Sequence, residues 1–227
     1  MNQPPPEAIT LVAFCRRPGP GVGKRRLAAA LGEAATLTIS QLLLDATLED
    51  LAAWPGLRVV APAEPDDEAW ARTLPVRLDD VVAQPDGNLG ARLGAVDRVL
   101  RERGHKRLLY IGSDAPVLAA ADYRAAASAL ATHDVVLGPA LDGGVTCMGS
   151  RCAWPDLTAL PWSGEHLHAA LQACCEAGGL SVQNLGTRYD VDVADDLRRL
   201  GTDLAADARP ARRALYRALA TLGYCRA

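Results

Sequence analysis

Short apolar runs without charges recur along the chain, and each has the length of one β-strand. The run 108–112 is the clearest, because its five apolar or small residues are typical of a strand buried on both faces. Similar runs predict strands at 9–15, 57–61, 134–138 and 180–185, an edge strand at 76–78, and an extended segment through Met148. The chain is therefore predicted to build its core around a sheet.

Between these runs, apolar residues recur at spacings of three and four, which predicts amphipathic helices. The predicted helices are a short one from about Lys24 to Gly32, a longer one through Leu51, the segments 66–74, 89–100 and 121–131, one ending near Ala177, and a last one from about 210 to Gly223. Alternating strands and helices predict a three-layer α/β/α domain with a mostly parallel, doubly wound sheet. We expect one domain over 9–227, preceded by a disordered N-terminal arm at 1–8.

Composition narrows the class of protein. The 227 residues are 49% hydrophobic and 22% charged, which is ordinary for a soluble globular protein, and the formal net charge of −3 argues against binding to nucleic acid or an anionic membrane through overall charge. No apolar run is long enough to span a bilayer, and the start lacks the pattern of a signal peptide, so we expect a cytoplasmic protein. The six cysteines lack the spacing of zinc sites and are predicted to be small buried hydrophobic residues.

A glycine-rich loop follows the first predicted strand. Residues 16–23 contain three glycines and two prolines, and a helix is predicted to begin near Lys24. A strand, such a loop and a helix start form a phosphate-binding arrangement, because backbone N–H groups and the positive helix end point into the loop. The cations that flank this loop are Arg16, Arg17, Lys24, Arg25 and Arg26. They predict an anionic ligand, although a solvated basic loop explains the same residues.

Aspartates stand where predicted strands and turns end. Asp114 follows the strand 108–112, at the edge where open α/β sheets bind ligands. It could hold a divalent cation against phosphate oxygens, or accept backbone hydrogen bonds in its turn. Asp142 lies in a glycine turn that it could simply stabilise, and Asp192 could simply cap a helix that begins at Val193. Two aspartates from distant segments, with a bound diphosphate, would form a site for Mg²⁺ or Mn²⁺.

Five segments of the sequence, in order, resemble motifs of the DUF2064 family of proposed glycosyltransferases. They are 14–27, 84–92 (QPDGNLGAR), 112–116, 138–144 and 190–192. The resemblance spans about 9–201 and implies a GT-A-like fold, that of nucleotide-diphospho-sugar transferases, with one metal-dependent nucleotide site. The sequence departs from the family where two tyrosines usually follow the Asp-Gly-Gly turn, since Val145 and Thr146 stand there.

The resemblance also implies roles for single residues. Nucleotide and phosphate contacts are expected from Phe14, Arg17, Gly19, Lys24, Arg26, Gln84 and Gly87. Asp114 and Asp192 would be the metal ligands for Mg²⁺ or Mn²⁺. On residue type alone, Asp142 or Glu165 could be the base that deprotonates an acceptor hydroxyl.

Three functions are compatible with these residues. The first is a metal-dependent glycosyltransferase that uses a nucleotide-diphosphate sugar and a small-molecule acceptor. The second is a nucleotidyltransferase, which would join an NTP to a phosphorylated small molecule and release pyrophosphate. The third, suggested by the departure at Val145, is a non-catalytic relative that binds a nucleotide. The residues predict no oligomeric state.

Overall fold

The computed structural model describes residues 9–225, so the predicted N-terminal arm lies outside the described residues. The described part contains a seven-stranded sheet in the order β3-β2-β1-β4-β6-β5-β7. Its strands are β1 (Ile9–Cys15), β2 (Leu57–Pro62), β3 (Asp80–Val81), β4 (Arg107–Gly112), β5 (Val135–Pro139), β6 (Val145–Ser150) and β7 (Val182–Asn184). Every strand pairing is parallel except those of β6, which runs antiparallel to both β4 and β5. The predicted mostly parallel α/β fold is confirmed.

Helices cover both faces of this sheet. They are α1 (Arg25–Leu31), α2 (Glu33–Ala53), α3 (Glu68–Ala71, after a 3₁₀ turn at Pro65–Asp67), α4 (Leu89–Glu102), α5 (Ala120–Thr132), α6 (Leu167–Ala177), α7 (Ala194–Asp203) and α8 (Pro210–Thr221). None of the helices in the described part is long and apolar enough to cross a membrane. The predicted break at Gly32 and the last helix from 210 are both present.

The core explains why the strands read as continuous apolar runs. Successive residues of β1 belong to opposite faces: Leu11 and Ala13 pack in one hydrophobic cluster, and Val12 packs in another. A third cluster joins α1, α2, α7 and α8 beside the sheet. Both faces of the central strands are therefore covered, which removes the polar alternation of a half-exposed sheet.

Two local predictions are wrong. The edge strand is Asp80–Val81, not 76–78, whose apolar side chains Val76 and Leu78 instead pack onto the core from outside the ladder. The apolar spacing of the predicted helix 89–100 also places Leu89 on its buried stripe. Leu89 is instead 44% exposed, because it is the first residue of α4 and lines a cavity. Three cysteines (Cys15, Cys147 and Cys175) are buried as predicted, and burial raises the pKa of each to about 12.

Candidate functional site

A cavity of about 480 Å³ opens where β1 and β4 end and where the antiparallel β6 begins. Of the residues expected at a nucleotide site, Phe14, Gln84, Gly87 and Asp114 line this main cavity. A smaller cavity of about 250 Å³ adjoins it through Asp114 and is also lined by residues of the glycine-rich loop. The two cavities lie at the edge of the sheet where open α/β folds bind ligands.

Lys24 joins three distant segments at the boundary between these cavities. Its Nζ donates to Asp114 Oδ2 at 2.8 Å and to the carbonyl oxygen of Val191 at 2.6 Å, and the backbone N–H of Val191 donates to the carbonyl oxygen of Asp114. Burial alone would lower the pKa of Lys24, but the negative charge of Asp114, with Asp190 and Asp192, outweighs it and raises that pKa. The ammonium group is therefore held charged against a carboxylate.

Asp190 lines the main cavity beside Asp114. Its burial raises its pKa to about 6, and the negative charges of Asp114 and Asp142 act in the same direction. The family resemblance implies the metal role for Asp192, which lines the smaller cavity. The Asp-Val-Asp pattern was the signal available for Asp190, but a motif does not tell which of its two carboxylates faces a cavity that only the folded chain creates.

Asp192 lies on the smaller cavity, together with Arg17 and Lys24. Its carboxylate accepts a hydrogen bond from Arg26 at 2.8 Å. The predicted capping role of Asp192 is wrong: α7 is capped at Val193, and the carboxylate of Asp196 accepts the backbone N–H groups of both Asp192 and Val193. The carboxylate of Asp192 therefore pairs with the guanidinium group of Arg26 and does not cap α7.

The two candidate bases lie outside the main cavity. Asp142 is exposed and accepts the backbone N–H of Gly144, as a turn residue does. The side chain of Glu165 is 81% exposed and lies 3.5 Å from the ring of His166. The segments that carry Asp142 and Glu165 touch at Gly143. A Cβ built on Gly143, whose φ is +87°, would lie only 1.8 Å from the carbonyl oxygen of Glu165.

The arginines of the glycine-rich loop already have acidic partners. Arg16 lies 3.7 Å from Glu64, and Arg17 lies 3.5 Å from Asp67. Both guanidinium groups are about half exposed, so these pairs are weak and can exchange for a phosphate. Gly19 contacts neither cavity and lines a third one, of about 320 Å³, behind the loop.

Gln84 also lines the main cavity and is only 4% exposed. Its Nε2 donates to the carbonyl oxygen of Ala61 at 2.7 Å, which fixes the orientation of the amide. Gly87 follows in a turn, with φ +126°, and Phe14 packs edge-on against Tyr110 at 5.8 Å between ring centroids.

The carboxylates of the main cavity fit a divalent cation only with help from a ligand. No group of three or more His, Cys, Asp or Glu side chains within 9–225 is placed to hold a metal ion. Asp114 and Asp190 nevertheless place two like charges in one cavity, and a cation would relieve the repulsion that raises the pKa of Asp190. Mg²⁺ commonly binds through one or two carboxylates together with substrate phosphates.

The family model described as an uncharacterized protein conserved in bacteria, DUF2064, matches residues 47–164, just over half of the chain. The chain belongs to this family. A comparison with curated proteins found no match.

Solved structures share the fold of this DUF2064 chain. A proposed nucleotide-diphospho-sugar transferase from Desulfovibrio desulfuricans G20 is 23% identical over 96% of this chain and 99% of its own, with a TM-score of 0.85. A nucleotidyl transferase from Methanothermobacter thermautotrophicus is 19% identical over 85% of this chain and 95% of its own, with a TM-score of 0.51. CMP:2-keto-3-deoxy-manno-octonic acid synthetase, complexed with CTP, is 13% identical over 85% and 97%, with a TM-score of 0.50. The fold is that of nucleotide-diphospho-sugar transferases and nucleotidyltransferases.

Proposed function

We propose that this DUF2064 chain transfers a glycosyl group from a nucleotide-diphosphate sugar to the hydroxyl of a small-molecule acceptor. The observation that carries the proposal is the Lys24–Asp114 pair at the boundary of the two cavities, with Asp190 beside it. A fixed cation next to carboxylates suits a diphosphate that arrives with a divalent metal ion. The main cavity also has the size of a small-molecule site, roughly 300 to 1,000 Å³.

The proposed roles follow the order of groups along the cavities. Gln84 and Gly87 would contact the nucleoside, with Phe14 beside them. Lys24 would take up the negative charge that develops on the leaving diphosphate, and Arg17 and Arg26 lie close enough to the smaller cavity to add to it. Gly19 would contribute only through the shape of its loop.

Asp114 and Asp190 would hold Mg²⁺ or Mn²⁺. When bound, the metal ion would supply Lewis-acid neutralisation of the diphosphate oxygens. Asp192, already paired with Arg26, would form the outer edge of this acidic cluster. In this proposal Asp190 takes the place as metal ligand that the family resemblance gives to Asp192.

Asp142 is our candidate for the base that accepts the proton of the acceptor hydroxyl. Its charge contributes to the raised pKa of Asp190, which indicates that it lies near the acidic part of the cavity, and it precedes the first residue of β6 by three positions. Glu165 is the weaker candidate, because its side chain points into solvent beside His166.

Nucleotidyl transfer is the second candidate, and one observation favours it. Neither Asp142 nor Glu165 lines the main cavity, and the attack of a phosphate on an NTP needs no carboxylate base. A synthetase of the same fold holds CTP. The two candidates differ in their products, since only nucleotidyl transfer releases pyrophosphate.

The decisive experiment is a thermal-shift screen of UDP-, GDP-, ADP-, dTDP- and CMP-linked sugars and of free NTPs, each with and without Mn²⁺. We expect a metal-dependent rise in Tm with one nucleotide sugar, because a ligand that binds only the folded state stabilises it. Turnover of that donor should then produce no pyrophosphate. A shift with an NTP alone, followed by pyrophosphate release, would replace glycosyl transfer by nucleotidyl transfer.

Two variants test whether Asp114 has the proposed role. Asp114→Asn should remove the metal-dependent shift and lower turnover by about 10²-fold or more, a loss typical of a preorganised charged group. Asp66→Asn removes the same charge from an exposed residue of the 3₁₀ turn and should leave both unchanged. Equal activity of Asp114→Asn and the parent chain would exclude Asp114 as a metal ligand.

A further inference from the structure

Four apolar side chains line one part of the main cavity. Val145 and Met148 of β6, Trp162, and Leu167 at the start of α6 form this surface, which we call the apolar wall. Val145, Met148 and Trp162 pack in one hydrophobic cluster. The apolar wall is therefore continuous with the core, not a set of scattered exposed residues.

Three polar groups on residues that line the main cavity are already hydrogen-bonded within the chain. The Thr146 hydroxyl donates to the carbonyl oxygen of Gly138 at 3.2 Å, and the indole N–H of Trp162 donates to the carbonyl oxygen of Leu157 at 2.8 Å. The hydroxyl of Tyr110 donates to the carboxylate of Asp97 at 2.7 Å. All three residues line the cavity, and their donors are already used.

A β-bulge shapes the apolar wall. Gly138 pairs with Cys147 and Pro139 pairs with Val145, so Thr146 is the extra residue in β6. In a regular strand Val145 and Met148, three positions apart, would point to opposite faces. Here both contact the same hydrophobic cluster, because the bulge changes the alternation between them.

The sheet separates the β6 part of this apolar wall from Gln84, whereas Trp162 lies nearer to the Gly87 turn, because its indole packs against Gly90. The backbone N–H of Gln84 bonds to the end of β2, and three strand spacings separate β2 from β6. At about 4.8 Å per spacing, the two ends lie roughly 14 Å apart. Lys24, proposed to contact the diphosphate, and Asp114 and Asp190, proposed to hold its metal ion, lie around the end of β4 between them. Val145 and Met148 thus lie beyond the expected position of the diphosphate, on the acceptor side.

We propose that the acceptor carries its hydroxyl on an apolar body, which binds against the apolar wall. This inference rests on the proposed function, because only a transfer reaction has an acceptor. A polar acceptor such as a free sugar would lose its water of hydration here without finding new partners for its hydroxyl groups. An alkyl or aromatic group has no such cost and gains from the removal of its apolar surface from water.

The experiment uses simple alcohols as probes of the full chain. The indole N–H resonance of Trp162, assigned by its loss in Trp162→Phe, is followed in ¹H–¹⁵N spectra during titration with 1-propanol, 1-butanol, 1-pentanol, 1-hexanol and glycerol. We expect the dissociation constant to fall about threefold to fourfold with each added methylene, and glycerol to bind far more weakly than 1-hexanol. An equal response to all four alcohols and glycerol would overturn the proposal.

Matched variants locate the binding. Val145→Asn should weaken 1-hexanol binding about tenfold, and Val145→Thr, which keeps the side-chain shape, about threefold. If Val145→Asn fails to fold, the dissociation constant of 1-hexanol for Val145→Thr tests the proposal. Leu222→Asn, at an exposed residue after α8, should leave the dissociation constant unchanged. An unchanged dissociation constant in folded Val145 variants would contradict the proposal.

Nucleotides titrated into the same sample separate the two proposals. If 1-hexanol binds with the expected dependence on chain length but no nucleotide binds, the apolar wall is an apolar-ligand site and the proposed transfer fails. If a nucleotide sugar binds and the alcohols show no dependence on chain length, the proposed function stands and the apolar acceptor is excluded.

Discussion

At the scale of single residues, Lys24 combines an unusual backbone with an unusual number of contacts. Its φ of 44° places it in the left-handed region, which non-glycine residues rarely adopt. The following helix α1 begins at Arg25, so this backbone turns the chain from the glycine-rich loop into the helix. Conformational strain of this kind persists where surrounding contacts hold it, and here the contacts to Asp114 and Val191 do so.

Replacing Lys24 tests how much this one side chain stabilises the chain. Lys24→Met should lower the free energy of unfolding by about 1–3 kcal/mol, because it leaves a half-buried carboxylate and a carbonyl oxygen without their donor. Urea denaturation measures the change. Arg25→Met, at the exposed neighbouring residue, should change it by less than about 0.5 kcal/mol. Equal effects of the two variants would contradict the role assigned to Lys24.

The site residues show what a sequence can and cannot tell at this scale. Asp114 stands at the end of its strand where the apolar run stops, and that position followed from local pattern alone. The choice between Asp190 and Asp192 did not, because both belong to one short motif and differ only in what the fold places beside them. The apolar wall was not foreseen either, since it depends on a bulge at Thr146 that leaves no mark in the pattern of residues.

At the scale of elements, α4 contains two glycines with opposite surroundings. A Cβ at Gly90 would lie 2.3 Å from the carbonyl oxygen of Leu157 and 2.4 Å from the indole nitrogen of Trp162, whereas a Cβ at Gly94 would meet nothing within 4 Å. Gly90 is therefore required for the close packing of α4 against the segment that carries Trp162. Gly94 only adds conformational freedom to the unfolded chain.

Alanine at these two positions should change stability in opposite directions. Gly94→Ala should raise the free energy of unfolding by about 0.5–1 kcal/mol, through the entropy of the unfolded chain. Gly90→Ala should lower it by about 1–3 kcal/mol, a typical cost of overpacking, and should shift the Trp162 indole resonance. A stabilising Gly90→Ala would show that the Leu157 segment can move away freely.

The edge strand β7 is held by a carboxylate just before β5. Asp134 accepts hydrogen bonds from the hydroxyl and the backbone N–H of Ser181, and from Arg151. The Ser181 hydrogen bonds, followed by that of Arg151, lower the pKa of Asp134 to about 2. Because this pKa lies below that of the unfolded chain, the carboxylate stabilises the fold above about pH 4 and loses this effect as the pH falls toward 2.

Asp134→Asn should therefore have a cost that depends on pH. At pH 7 we expect a loss of about 1 kcal/mol, since the group is partly exposed and solvent screens its charge. Between pH 4 and pH 2 the difference between variant and parent should vanish, as measured by urea denaturation at each pH. Asp86→Asn, at an exposed residue, should show no such dependence. A difference that stays constant down to pH 2 would contradict the assignment.

The order of the strands illustrates the limit of pattern reading for elements. The apolar runs predicted β1, β2, β4 and β5 almost to the residue, because burial on both faces needs nothing but apolar side chains. The direction of β6 is fixed by its connection: only five residues separate it from β5, too few for a parallel crossover. The short β3 was misplaced, because two paired residues at an edge leave almost no pattern.

At the scale of the whole molecule, α8 is tied to the centre of the chain by a fully buried arginine. Arg212 is 0% exposed and donates to Glu49 at 3.0 Å and to Asp50 at 2.5 Å, both in α2. It also donates to the carbonyl oxygens of Ala46 and of Pro116, the latter two residues after Asp114. The last helix thus helps to fix the loop that carries the central carboxylate. The spacing of the leucines in the sequence predicts this helix. The same pattern does not distinguish an arginine that is buried among polar partners from one that is exposed.

Removing this arginine should be far more costly than removing its neighbour. Arg212→Met would remove a buried cation from two carboxylates, of which Asp50 keeps Arg209 and Tyr123 as donors and Glu49 keeps the N–H of Ala211. We expect the free energy of unfolding to fall by about 3–5 kcal/mol, as when one partner of a buried ion pair is lost. Arg213→Met, one position along α8 and exposed, should cost less than about 0.5 kcal/mol. Urea denaturation measures both changes in the free energy of unfolding when each variant unfolds in a single transition. If Arg212→Met cost no more than Arg213→Met, the remaining donors of Asp50 and Glu49 would suffice, and α8 would not fix the Asp114 loop through this contact.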